Sequence, residues 1–202
     1  MIDGRAIKRT FAQLFIVESL TLENEEEGLF EGEVLSRMLN LSGKTGTRYY
    51  YIRTKRELEK ILELFGQSRY RYLHLSCHAN RHAMDTTFDA VSFEELGQML
   101  RPCIRNRRVF VSACEMANSR LAAELLPGTG CYSLIGPASR IGFDDAAAFW
   151  VSFYHLMFKL NPRTMKHVEL KRRIVELSAL FEESFHYFAA SRSSDRGFGR
   201  VR

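Results

Sequence analysis

Tyr72-Leu73-His74-Leu75-Ser76-Cys77-His78-Ala79-Asn80 is an apolar run that stops at a histidine, and Arg108-Val109-Phe110-Val111-Ser112-Ala113-Cys114-Glu115 is an apolar run that stops at a cysteine. Each reads as a strand of about four to six residues that delivers a reactive side chain where it ends. Two parallel strands ending together would set an imidazole beside a thiol. That is the arrangement for thiolate attack on a carbonyl, because the histidine draws off the thiol proton and stabilises the resulting charge. The plainer reading is that both are core positions, since free cysteine is among the most often buried residue types.

Outward from these runs the pattern alternates. Leu14–Val17 reads as a short buried strand and, after an acidic turn from Glu23 to Glu27, residues 29–41 read as a helix with Phe30, Val34, Leu35, Met38 and Leu41 at helical spacing. Gly43 and Gly46 break it, and Tyr49-Tyr50-Tyr51-Ile52 is β-rich. Thr54 with Glu57, and Ser92 with Glu95, have the spacing of capping boxes opening helices through Leu58–Phe65 and Leu96–Leu100. A helix through Leu121, Leu125 and Leu126 stops at Pro127-Gly128, and Tyr132–Ile135 is a further strand ended by Gly136-Pro137. The remainder reads as helical, from Asp145 to Leu160 and, past Pro162, from about Met165 to Ala190, with Leu170, Ile174, Leu177, Phe181, Phe185 and Phe188 as one stripe packed on the domain. Five strands alternating with helices indicate a mostly parallel sheet covered on both faces, whose functional site lies beyond the carboxyl ends of the strands. His78 and Cys114 sit at those ends.

Composition limits the alternatives. The chain has 202 residues, 46% of them hydrophobic, ample for a core. No run approaches eighteen apolar residues, so no membrane span is expected, and the first ten residues lack the apolar stretch of a secretory signal. Cys77, Cys103, Cys114 and Cys131 show no CxxC pairing, which fits a reducing cytoplasm. The net charge of +5 divides into +2 over residues 1–10 and +3 over residues 191–202, leaving the 180 residues between them neutral. A nucleic-acid groove gathers its basic residues on a folded face, so nucleic acid is not an expected partner.

The residues around the two runs resemble the caspase-like (clan CD) cysteine peptidases, in particular their CHAT branch. That branch reads hydrophobic-x-hydrophobic-Ser-x-His-Gly and then hydrophobic-hydrophobic-Ser-Ala-Cys-Glu; Leu73–His78 and Val109–Glu115 are similar to these. Ala122-Ala123-Glu124-Leu125-Leu126 is similar to the helix after the cysteine, Tyr132–Gly136 to the next strand, and Asp144–Phe149 through Phe153-Tyr154 to an Asp-rich entry into an Ala-rich helix. The likeness covers residues 70–160. It implies an α/β fold, a caspase-like three-layer sandwich whose mostly parallel central sheet of about five or six strands has helices on both faces, with a C-terminal helical extension. The divisions expected are a basic N-terminal tail over 1–10, the peptidase domain over 11–160, a packed C-terminal helix over 161–190 and a basic disordered tail over 191–202.

The resemblance also implies a function: a bacterial cysteine endopeptidase without cofactor or metal, acting on a protein or peptide substrate, in defence or cell-death signalling, with an activating or substrate protein as partner. His78 would be general base and acid and Cys114 the nucleophile, with the N–H groups of Ala79 and Cys114 holding the oxyanion. The family has glycine where this chain has Ala79, so a catalytically degenerate interaction module stays open as the alternative. Glu18 follows the first strand, where the family's loop lines the pocket for the residue before the cleaved bond. An acid there would favour Arg or Lys, and Asp85 and Asp89 are alternatives, with Ser112 a fourth candidate substrate-binding residue. A zinc set from His74, Cys77, His78 and His82 is rejected because residues 74 and 78 face opposite to 77 on a strand. Ser42-Gly43-Lys44-Thr45 lacks the earlier glycine of a phosphate loop, Met38 standing there, and follows a helix.

Overall fold

The structure, a computed structural model, describes residues 10–201, so the basic tail expected over 1–10 lies, Thr10 apart, outside the described residues. The chain runs β1 (Phe11–Glu18), α1 (Leu22–Glu26), α2 (Glu31–Leu41), β2 (Arg48–Tyr51), α3 (Lys55–Gln67), β3 (Tyr70–Ser76), β4 (His78–Ala79), β5 (Ala83–Asp85), β6 (Ala90–Ser92), α4 (Phe93–Leu100), β7 (Arg108–Ser112), α5 (Ser119–Leu125), β8 (Ser133–Pro137), α6 (Phe143–Leu160), α7 (His167–Leu180), β9 (Phe185–Ala190) and β10 (Phe198–Arg200). Seven strands form one sheet in the order β10-β9-β8-β7-β3-β1-β2. The pairs from β2 across to β8 are parallel, and β9 and β10 add on antiparallel. A separate three-stranded sheet, β4-β5-β6, sits beside the carboxyl end of β3.

Alternation along the strands builds two dry layers. Phe15, Val17, Leu73, Leu75, Val109, Val111 and Leu134 meet α3, α4 and α5 on one face. Leu14, Ile16, Tyr72, Phe110 and Ile135 meet α2, α6 and α7 on the other, around the wholly buried Phe149, Trp150, Phe153 and Tyr154. Each such side chain contributes about 1.5–3 kcal/mol through its removal from water. Both expected capping boxes form. Thr54 Oγ1 accepts the Glu57 N–H at 3.2 Å while the Glu57 carboxylate accepts the Thr54 N–H at 3.0 Å. Ser92 and Glu95 repeat the exchange at 3.2 and 2.9 Å.

The C-terminal expectation is corrected in two places. The helix ends at Leu180 rather than near Ala190, and the expected disordered tail contains β10. Glu182 turns the chain through a left-handed φ of 55°, and residues 185–190 become a strand on the open edge of β8, with Leu134 opposite Phe188 and Ile135 opposite Tyr187. No glycine or proline marks the turn, and Phe181, Phe185 and Phe188 continue a helical spacing. What decides is that β8 would otherwise expose its unpaired edge. The Phe185 ring then stacks on Phe149, centroids 3.7 Å apart. Among the described residues no helix is long and apolar enough to cross a membrane.

Candidate functional site

The histidine is placed by a bend. The Cys77 N–H donates to Ser112 O at 3.2 Å, which ends β3 against β7, and the next two residues leave the main sheet as β4. His78 stands opposite Asp85 and Ala79 opposite Met84. A tight hairpin closes the pair: the Asn80 N–H reaches Ala83 O at 3.0 Å, while Asn80 Oδ1 accepts the N–H groups of His82 and Ala83. In an antiparallel ladder hydrogen-bonded and unbonded pairs alternate, so with 80 and 83 bonded, Ala79 falls on an unbonded pair and its N–H points away from β5. The φ of Ala79 is not in the left-handed region. The angle argument for glycine at this position therefore does not apply.

The cysteine is placed by an elbow. Beyond Ser112 the chain turns sharply, with Glu115 at φ 55°. A non-glycine residue there costs on the order of 1 kcal/mol, and surrounding bonds must hold it. The Glu115 N–H reaches Ser139 O at 3.3 Å, its carbonyl accepts the Asn118 side-chain amide at 2.8 Å, and its carboxylate pairs with Arg81 at 2.7 Å. Asn118 also donates to Arg81 O at 3.2 Å and caps α5. The turn carrying the cysteine is thus tied to the hairpin carrying the histidine. Among the described residues no backbone acceptor takes the Cys114 N–H.

The two side chains meet. His78 and Cys114, both half-buried, line one cavity of about 40 Å³ with Glu31, Cys77, Ser112, Ala113, Ile141, Gly142, Phe143 and Ala146. At about 10–15 Å³ of such space per water, this holds about three or four waters and no substrate side chain. The Cys114 thiol lies 3.9 Å from Ile141 O, and the His78 ring sits edge-on to Phe143, centroids 5.5 Å apart. His78 Nε2 lies 2.6 Å from Asn24 Oδ1 in α1. A groove of about 1100 Å³ between α3 and α4 is far larger but is lined by neither His78 nor Cys114.

Beneath that cavity is a buried polar row. Glu18, Ser76 and Ser112 end β1, β3 and β7 in register and point to the α2/α6 face. Glu18 is wholly buried. Its carboxylate accepts the Gly32 N–H at 2.7 Å and the Tyr49 hydroxyl at 2.7 Å, with the Glu33 N–H at 3.3 Å. A Cβ at Gly32 would lie 3.1 Å from the Glu18 carboxyl carbon, so the absent side chain is what lets the start of α2 approach so closely. Desolvation dominates nonetheless and pushes the Glu18 carboxyl up to about 7, against the lowering effect of those hydrogen bonds. Ser76 Oγ donates to Glu31 at 2.6 Å, and His74 Nε2 stands 3.6 Å from the other Glu31 oxygen, with His74 Nδ1 3.0 Å from the Tyr154 hydroxyl.

Glu18 is therefore corrected. It does emerge at the same sheet edge as the pair, but it is enclosed by α2 and β2 instead of lining a pocket open to substrate. Asp89 is exposed, and its carboxylate accepts the Lys55 N–H at 2.8 Å at the start of α3. Asp85 is half-buried opposite His78, and Ser112 lines the cavity. His74 lies in the α2/α6 layer and Cys77 in the α3–α5 layer, as the alternation requires. Burial pushes the Cys131 thiol up to about 12 and Cys103 to about 11, and Cys77 higher still. Sequence reasoning missed Asn24, Glu31 and Phe143. The acidic run from Glu23 to Glu27 hid Asn24, and nothing local marks Glu31 or Phe143.

The fold is the caspase-like fold. A secreted C11 cysteine protease from Bacteroides thetaiotaomicron superposes with a TM-score of 0.59 at 8% identity over 88% of this chain and 66% of that one. The Arg-specific cysteine proteinase gingipain R superposes at 0.57 with 13% identity, over 87% of this chain and 45% of that one. Caspase-1 from Spodoptera frugiperda gives 0.55 at 11% identity over 95% and 83%. No protein-family model matches the sequence. No curated protein matches it either.

Proposed function

We propose that the chain is a cysteine endopeptidase of the CHAT branch, with Cys114 as nucleophile and His78 as general base and acid. The observation that carries this reading is that two residues 36 positions apart, each at the end of a parallel strand, line the same small cavity. His78 takes the Cys114 proton and the sulfur attacks the peptide carbonyl carbon. The oxyanion forms beside the Cys114 N–H, which has no backbone acceptor among the described residues, and the Ala79 N–H, which ladder alternation turns away from β5. His78 then protonates the departing amine, leaving a thioester. Water attacks the thioester with His78 as base, which releases the acid and restores the thiol.

The small size of the cavity supports a resting state that must open before substrate enters. A protein partner is the proposed trigger, and cleavage of a defence or cell-death effector in a bacterial cytoplasm the proposed setting. The test is a panel of fluorogenic peptides varying the residue before the scissile bond, combined with iodoacetamide labelling near neutral pH. Turnover lost in Cys114→Ala and kept in Cys77→Ala, with label on Cys114 and not on the buried Cys77, is the expected outcome. Turnover surviving in Cys114→Ala would remove the assignment.

A further inference from the structure

We infer that Asn24 is a positioning residue for His78, fixing which imidazole nitrogen is free to take the thiol proton; this rests on the peptidase reading above. Asn24 Oδ1 lies 2.6 Å from His78 Nε2, a short contact between half-buried groups. The same oxygen accepts the Thr21 hydroxyl at 3.1 Å, and the Asn24 N–H donates to Thr21 Oγ1 at 3.3 Å. An amide oxygen only accepts, so the hydrogen of the neutral ring is held on Nε2 and the lone pair is left on Nδ1. The Phe143 ring stands edge-on to the imidazole, centroids 5.5 Å apart, and Asn24 is the hydrogen-bond partner at its Nε2.

The segment that carries Asn24 is itself anchored. The neighbouring Glu25 carboxylate takes the Tyr51 hydroxyl at 2.5 Å and Arg53 Nε at 3.0 Å, and Asn24 O accepts the Leu29 N–H at 3.0 Å. α1 is five residues long and contributes no buried residue of its own, so packing does not explain its placement. The bonds through Glu25 hold it over the histidine. When His78 becomes positively charged in the reaction, Nε2 keeps the same acceptor and Nδ1 gains the thiol proton, so the ring need not turn between steps.

Two measurements on the full chain test this, one independent of turnover. Nitrogen-15 NMR of the imidazoles in resting wild type should show His78 as the Nε2–H tautomer, and in Asn24→Ala a mixture of both. An Nδ1–H tautomer in wild type, or an unchanged one in Asn24→Ala, overturns the inference whether or not the protein cleaves peptides. On the most active peptide, Asn24→Ala should lower kcat about 10- to 100-fold with KM changed less than about threefold, after correction for the fraction of Cys114 that alkylates. Asn24→Asp should recover most of that rate and move the acid limb of the profile to higher pH, because a carboxylate favours the imidazolium. A merely structural role for Asn24 would leave the pH profile and the tautomer unmoved. Should wild type and Cys114→Ala be equally inert while the tautomer result holds, the peptidase reading fails and the positioning stands.

Discussion

His74 and His78 stand four residues apart on one segment, yet they occupy different chemical worlds. His78 lies beyond the strand end, half-exposed, between Asn24 and Phe143, on a cavity that also holds a thiol. His74 lies within the strand, wholly buried, with Trp150 and Tyr154 edge-on at 5.1 and 5.7 Å and Glu31 as its acidic neighbour. One bend at Cys77 separates them. On the proposed function, reactivity is made by the place where a strand stops, since the same residue type four positions earlier is sealed into the core.

The largest effect that would break this comparison is a swap of consequences. His78→Ala should lower kcat/KM at least about 10³-fold while leaving the melting temperature nearly unchanged. His74→Ala should instead destabilise the fold by about 3 kcal/mol, because it opens a cavity among aromatic rings and leaves the Tyr154 hydroxyl short of a partner. Melting curves and peptide turnover on the two variants decide it. A stable, active His74→Ala would show that the buried histidine is not structural.

That division also marks what the sequence could and could not disclose. Apolar runs ending in His78 and Cys114 are strands buried on both faces, and such runs declare themselves through composition, so the parallel core and its edge were readable. The two capping boxes were readable for the same local reason. What was hidden depends on contacts between distant segments. β4, β5 and β6 are two or three residues each, too short for any period to show. β9 carries a helical spacing of aromatics and becomes a strand only because β8 has an edge to fill. Glu18 lies at the carboxyl end of β1, as its position after the first apolar run implies, but its burial follows from α2 beginning at Glu31 with a glycine next to it, and nothing near residue 18 shows that.

Glu18 offers the next and smaller test. Its carboxyl titrates near 7 in the folded protein, and its ordinary value is 4.5. Below about 4.5 both states hold the proton, and above 7 neither does. Between them the folded state keeps a proton that the unfolded chain has lost, so stability falls as pH rises across that window, by up to about 3 kcal/mol. Glu31 adds to the raised value by repulsion, whereas Tyr49 and the Gly32 N–H work against it. Glu18→Gln should flatten the decline between pH 5 and 8 in denaturant titrations by about 1–3 kcal/mol. An equal slope in wild type and variant would mean that Glu18 is not the titrating group.

The smallest expected effect is at Ala79, where the sequence departs from the glycine of the resembled family. If glycine were needed there for its backbone angle, alanine would sit in the left-handed region and carry strain. It does not, and its partly buried methyl group packs against the α3–α5 core layer. Ala79→Gly should therefore cost about 0.4–1 kcal/mol through added freedom in the unfolded chain and change kcat/KM by less than about threefold. Its N–H stays off the β5 ladder in either case, since ladder alternation and not the side chain decides where that group points. A rate rise of tenfold or more at the cost of that stability would mean that the methyl group obstructs the carbonyl beside Cys114. The difference between this chain and the family would then be one of space rather than of angle.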